Sequence, residues 1–215
     1  MTPRAVIFDC DGVLVDSEPA SFDLMAADLT RYGLILPRIE MERLFLGGTI
    51  AGVFAKGRAM GAALPDGWVT DFYECLYARL ASGTPLIPGI LTVLDTLDAA
   101  GIPYAVGSNG SDRKMQVTLG QHPGVLARFG ARLFSGQTLG APKPAPDLYL
   151  HAARALGHAA DRCVVIEDSP TGARAAAAAG IRCFGYAPHQ DGAALAAKGA
   201  TVFHAMQDLP GLLGL

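Results

Sequence analysis

The sequence predicts an α/β protein: a Rossmann-like parallel sheet core with an inserted α-helical cap domain. Three observations predict it. Short apolar runs alternate with amphipathic stretches along most of the chain, the spacing of strand–helix–strand crossovers. That alternation lapses once, from Asp16 to about Leu86, where only helical spacing remains. Glycines close several helical stretches, at Gly101, Gly157 and Gly180, where a left-handed C-terminal cap belongs.

Taken in order, the first strand is Ala5–Phe8, four apolar residues before a carboxylate. Helical spacing then covers residues 17–30, 40–45, 50–60 and 68–80, broken at Tyr32-Gly33, Gly47-Gly48 and Leu64-Pro65-Asp66-Gly67. Turn residues at 82–85 and at Pro88-Gly89 close the insert. The expected division is a core of residues 1–15 and 88–215 and a cap of residues 16–87, with hinges near 15–17 and 86–89. The core resumes with a helix over 89–100, a strand over 104–107, the helix Asp112–Leu119 and a strand over 132–134. A helix over 147–156, a strand over 163–166 and an alanine-rich helix over 171–179 follow, then strands over 181–184 and Thr201–Phe203. Ser169-Pro170 supplies an N-cap and a proline at the first helical position.

Composition removes several function classes. Of 215 residues, 51% are hydrophobic and 17% charged, with mean hydropathy +0.30, too apolar for a disordered chain. No uninterrupted apolar stretch reaches the roughly 18 residues of a membrane span, and the first residues lack a secretory signal's apolar region. A cytoplasmic protein without a membrane partner is expected. Net charge is −3, and no cluster of Lys and Arg marks a basic face, so nucleic acid is not the expected partner. The four cysteines, Cys10, Cys75, Cys163 and Cys183, have no C-x-x-C spacing and read as small buried hydrophobes in a reducing compartment. Composition leaves monomer or homodimer open.

The chemistry begins at Asp9-Cys10-Asp11-Gly12. Two carboxylates two residues apart follow a buried strand, at the edge where open α/β sheets bind ligands. Such a pair is costly unless a cation is shared or the two differ in protonation. A calcium loop does not fit: counted from Asp9, the glycine falls at the fourth place instead of the sixth, and Ala20 stands where a glutamate is needed. Three more positions fall on the same edge: Ser108-Asn109-Gly110, Lys143 between prolines, and Glu167-Asp168-Ser169. Singly, these are a turn, a solvated lysine and a helix cap. Together they suit a phosphoryl group beside a divalent cation. Hard oxygen ligands hold magnesium, while Lys143 and turn amides bind the phosphoryl oxygens.

At these residues the chain resembles the haloacid dehalogenase superfamily of aspartate-nucleophile phosphotransferases. The family's first motif corresponds to residues 9–17, its second to Ser108, its third to Lys143 and its fourth to Glu167-Asp168. The insert resembles the helical cap of the phosphoglycolate phosphatase and β-phosphoglucomutase group. The stretches around Ser108-Asn109-Gly110 and Leu133-Phe134-Ser135-Gly136 are most similar to sugar-phosphate phosphatases, including those acting on 6-phosphogluconate. The resemblance implies that Asp9 is the nucleophile and Asp11 the acid, then base. It implies Mg2+ on Asp9, the Asp11 carbonyl and Asp168, with Glu167 in the outer shell. Ser108, Asn109 and Lys143 would hold the phosphate of a small phosphorylated metabolite.

Asp11 argues against C–halogen and C–P cleavage, since those relatives lack a second aspartate. The runner-up is a phosphosugar mutase. Members of that kind carry a histidine after the first motif and a basic residue after the cap's glycine turn, where this chain has Ser21 and Ile50. A catalytically inactive binding protein of the same fold is the more distant rival. Arg43, Lys56 and Arg58 are the cap's basic candidates for the leaving group, each equally readable as solvated surface.

Overall fold

The structure, a computed structural model, describes residues 2–215. In chain order the elements are β1 (Ala5–Phe8), α1 (Glu18–Arg31), α2 (Arg38–Phe45), α3 (Ile50–Ala59), α4 (Trp68–Ala81), α5 (Ile90–Ala99), β2 (Tyr104–Ser108), α6 (Asp112–Leu119), α7 (Pro123–Phe129) and β3 (Leu133–Ser135). Then come α8 (Asp147–Ala155), β4 (Cys163–Glu167), α9 (Pro170–Ala178), β5 (Arg182–Tyr186), α10 (Ala193–Ala196), β6 (Thr201–Phe203) and α11 (Leu209–Leu213). The strands form one parallel sheet in the order β3-β2-β1-β4-β5-β6. Chain order reverses between β1 and β4, so a crevice opens at their C-terminal ends.

Side chains alternate across the sheet, and each face has its own core. Val6, Phe8, Tyr104, Val106, Val164 and Ile166 pack with Ile90, Val93, Leu94 and Leu97 of α5 and with α6, α7 and α11. Ala5, Ile7, Ala105 and Val165 face the other way, against Tyr149, Ala152 and Ala153 of α8 and Ala173, Ala175 and Ala176 of α9. The alanines of α9 are buried, which lets that helix lie close on the sheet.

Helices α1 to α4 bury a separate cluster containing Phe22, Met25, Leu29, Met41, Trp68, Phe72, Leu76 and Leu80. The Trp68 indole donates to Asp28 Oδ2 at 2.5 Å, so the largest of these side chains keeps its polar atom paired. The two connections to the sheet run side by side. Asp16 N–H donates to Pro85 O at 2.8 Å and Ile87 N–H to Leu14 O at 3.0 Å.

Some expectations shift. Strand β3 starts at Leu133 because Arg132 N–H still donates to Phe129 O at the end of α7. Strand β5 starts at Arg182 because Ile181 N–H still donates to Ala176 O in the helix cap. Gly101, Gly157 and Gly180 all have positive φ, as a left-handed cap requires. All four cysteines are free, but Cys75 is exposed on α4 and corrects the reading of four buried ones. Among the described residues, no helix is long and apolar enough to cross a membrane.

Candidate active site

Strand ends bring the sequence-predicted residues together. Asp9 follows β1, Ser108 ends β2, Glu167 ends β4, and Lys143 stands in the loop between β3 and α8. All but Glu167 line one cleft between the sheet edge and the inserted helices, with Asp11, Asn109 and Asp168. Glu167 lies directly beneath, fully buried.

Lys143 is buried between two carboxylates. Its Nζ lies 2.8 Å from Asp9 Oδ1 and 2.6 Å from Glu167 Oε1, and 5.0 Å from the centre of the Tyr149 ring. Burial opposes its charge, but Asp9 and Glu167 outweigh burial and raise its pKa above the usual lysine range. The Asp9 contact is ionic: Oδ1 is buried yet accepts no well-directed hydrogen bond. Burial pushes the Asp9 carboxyl up to about 7, against the pull of Lys143 and with help from Glu167 and Asp11. Glu167 is spent on its neighbours. Oε1 accepts from Lys143 and from Tyr149 Oη at 2.9 Å, and Oε2 accepts from the backbone of Asp168 and Ser169 and from Ser169 Oγ.

Asp11 sits apart from that cluster. Its Oδ1 accepts the Ser17 hydroxyl and lies 2.9 Å from Lys114 Nζ. Burial raises its pKa, but Lys114 and Ser17 outweigh burial and leave it lowered. Ser17 occupies the N-cap position of α1 without capping it, because its hydroxyl is given to Asp11. Gly12 has φ +74, and a Cβ there would run into the Asp168 carboxylate. The turn after β1 therefore needs glycine for its conformation and for clearance.

Ser108 Oγ accepts Gly110 N–H at 2.9 Å, which leaves its proton for a ligand. The Asn109 carboxamide is engaged with the Lys143 backbone and with Gly47 O. Two groups were not singled out from sequence. Lys114 is paired to Asp11, and Glu18, at the start of α1, lines the cleft with its carboxyl pushed up to about 8 by burial and the nearby Asp11. The signal for Lys114 was Ser111, whose side chain caps α6 and puts Lys114 in its first turn, at the same sheet edge.

Carboxylate oxygens of Asp9, Glu167 and Asp168 lie within 4.8 Å of one another. Burial, then Glu18, Glu167 and Asp9, push Asp168 well above the usual carboxylate range. A divalent cation shared by Asp9 and Asp168 would favour the charged forms that burial opposes. Glu167 already accepts five donors, whereas Asp9 Oδ1 has only the Lys143 ammonium beside it, so Asp9 and Asp168 are the fitting ligands for a hard divalent ion.

The inserted segment, residues 16–87, contributes to the cleft Ser17, Glu18, Ser21, Thr49, Tyr73 and apolar side chains including Phe22, Ile50 and Leu76. Among the described residues it supplies no Lys or Arg to the lining. Arg43 pairs with Glu40, Lys56 donates to Leu44 O, and Arg58 donates to Leu64 O and Asp66.

Comparison with known proteins gives concordant matches. The sequence pattern of the haloacid dehalogenase-like hydrolases matches residues 3–180. The 6-phosphogluconate phosphatase of Escherichia coli (strain K12) is 30% identical over 211 residues, covering 97% of this chain and 94% of that one. A haloacid dehalogenase family hydrolase from Deinococcus radiodurans R1, solved with bound phosphate and sodium, is 33% identical with TM-score 0.78, covering 99% of this chain and 96% of that one. A putative β-phosphoglucomutase from Thermotoga maritima is 25% identical with TM-score 0.75, covering 98% of each chain.

Proposed function

The chain belongs to the haloacid dehalogenase-like hydrolases, and we propose that it is a magnesium-dependent phosphatase of small phosphorylated metabolites, sugar phosphates or sugar-acid phosphates, acting through an aspartyl-phosphate at Asp9. The observation that carries this reading is that the two aspartates have different partners. Asp9 is paired with Lys143 at the end of β1, and Asp11 with Ser17 and Lys114. That division suits one carboxylate to attack and the other to move a proton.

In this reading an Asp9 carboxylate oxygen attacks phosphorus in line. The P–O bond to the leaving group breaks, and that oxygen takes a proton from Asp11, a carboxylate in the free protein that receives this proton when a phosphate monoester monoanion enters the cleft beside it. Asp11, now a carboxylate, takes a proton from water as the water attacks phosphorus, and phosphate leaves with Asp9 restored. Lys143, the Ser108 hydroxyl and the Asn109 backbone amide would hold the phosphoryl oxygens. Asp9, the Asp11 carbonyl and Asp168 would hold the metal, with Glu167 behind them anchoring Lys143. The bound cation supplies charge neutralisation that lets a phosphate dianion approach two carboxylates. Residues 16–87 act as a cap that closes the cleft and contacts the leaving group.

The mutase reading shares every core residue, and a putative mutase is among the structural matches. Against it, the cleft lining has Ser21 and Ile50 and no cap cation for a sugar's second phosphate. The deciding experiment supplies β-glucose 1-phosphate with a trace of glucose 1,6-bisphosphate and follows free phosphate and both sugar phosphates. Free phosphate with little glucose 6-phosphate is expected. Rapid isomerisation without phosphate release would replace this reading with the mutase.

A further inference from the structure

The Asn109 carboxamide, 6% exposed, makes three contacts that join two parts of the molecule. Oδ1 accepts Lys143 N–H at 2.7 Å, and Nδ2 donates to Lys143 O at 3.1 Å and to Gly47 O at 3.0 Å. One side chain thus grips both backbone polar groups of the lysine and the α2–α3 turn of the cap. A Cβ on Gly136 would stand 2.9 Å from Oδ1, so the neighbouring loop packs tightly against the amide. The same turn also rests on the other half of the lysine's ion pair. Gly47, at φ +69, lies so close to Ser169 that a Cβ would overlap its side chain, and Ser169 Oγ donates to Glu167 Oε2. The turn therefore touches the residue that fixes Lys143 and the residue that fixes Glu167.

We infer that Asn109 is a positioning residue that couples docking of the cap to the seating of Lys143. The Gly47 carbonyl satisfies the Asn109 donor that Lys143 does not fully use. With the turn docked, the carboxamide is held in the plane that grips the lysine loop. With the turn away, that donor faces water and the grip loosens. A leaving group that holds the cap down thereby also fixes the lysine against Asp9. The inference rests on the reading of Asp9 and Lys143 as the phosphoryl site.

The test is a double-mutant cycle of Asn109→Ala and Gly47→Ala, comparing kcat and KM on a sugar phosphate. A second arm follows hydrogen exchange of residues 45–50 with and without saturating inorganic phosphate and magnesium. Asn109→Ala is expected to lower kcat about tenfold to a hundredfold with a smaller change in KM, since a misplaced group costs turnover first. In the Gly47→Ala background its effect shrinks severalfold, because the contact is already broken. Phosphate should slow exchange at 45–50 in the parent and not in Asn109→Ala. Effects that multiply, or phosphate protection that survives Asn109→Ala, overturn the coupling. Asn109→Asp keeps the acceptor for Lys143 N–H and loses the donor to Gly47, and serves both arms if the alanine variant does not fold. Absence of phosphatase activity in the parent overturns the proposed function, while the exchange arm still decides the coupling.

Discussion

Replacing Asp9 by Asn removes the proposed nucleophile and also a charge that the fold holds at a cost. Burial raises the Asp9 carboxyl from 3.8 to about 7 despite Lys143 at 2.8 Å. An acid whose folded pKa is raised destabilises the fold as pH climbs, because the unfolded chain releases its proton first. The loss starts near pH 4 and is complete above about 7. At about 1.4 kcal/mol per pH unit, the rise is worth about 4 kcal/mol in the absence of metal. Asn carries no charge at any pH. Asp9→Asn in chelator is therefore expected to be more stable than the parent by about 2–4 kcal/mol at pH 8 and equal to it near pH 4. For a chain of this size that is a melting shift of roughly 5–15 °C at pH 8. Thermal unfolding followed by circular dichroism at pH 4 to 8.5 reads it, and turnover of the same preparations should fall by several orders of magnitude. A melting difference that does not grow with pH would refute the electrostatic account of the cluster.

Three further outcomes follow from neighbouring groups. Chelator should abolish phosphate release and magnesium restore it, while calcium, with looser coordination, should inhibit. Phosphate release in excess chelator would contradict the metal assignment. Gly172→Ala puts a Cβ into the buried Glu167 carboxylate, so it should cost about 2–3 kcal/mol by urea unfolding and lower turnover by unseating Lys143. Parental stability in that variant would show that the helix shifts freely. Glu18→Gln should raise stability above pH 8 in chelator, by at most about 5 kcal/mol, and leave it unchanged near pH 4.5, since burial holds Glu18 protonated up to about 8.

Much of this was legible in the sequence because it is carried by local pattern. Strand β1 and helix α6 fall where apolar runs and capping residues place them, and the glycines at 101, 157 and 180 mark helix ends by conformational need. The expectation that Asp9, Asp11, Lys143 and Asp168 meet at one sheet edge followed from parallel topology alone. What was not legible depends on how segments far apart in the chain meet. Lys114 reads as an ordinary helix lysine until the loop after β1 brings Asp11 Oδ1 to 2.9 Å from its Nζ. Glu18 reads as a first-turn carboxylate until the cleft forms around it. Asn109 reads as a turn residue, yet its side chain spans to Gly47, 62 positions away. The one-residue shifts at β3 and β5 come from helix-cap contacts that apolar patterning cannot show.

The central claim is that Asp9 becomes phosphorylated during turnover. Steady-state turnover of a sugar phosphate quenched into borohydride reduces an aspartyl-phosphate to homoserine, which peptide mass spectrometry locates. Homoserine at position 9, absent without substrate and absent from Asp9→Asn, is the predicted result. Continued phosphate release with no modification at position 9, or with modification at another carboxylate, contradicts the account.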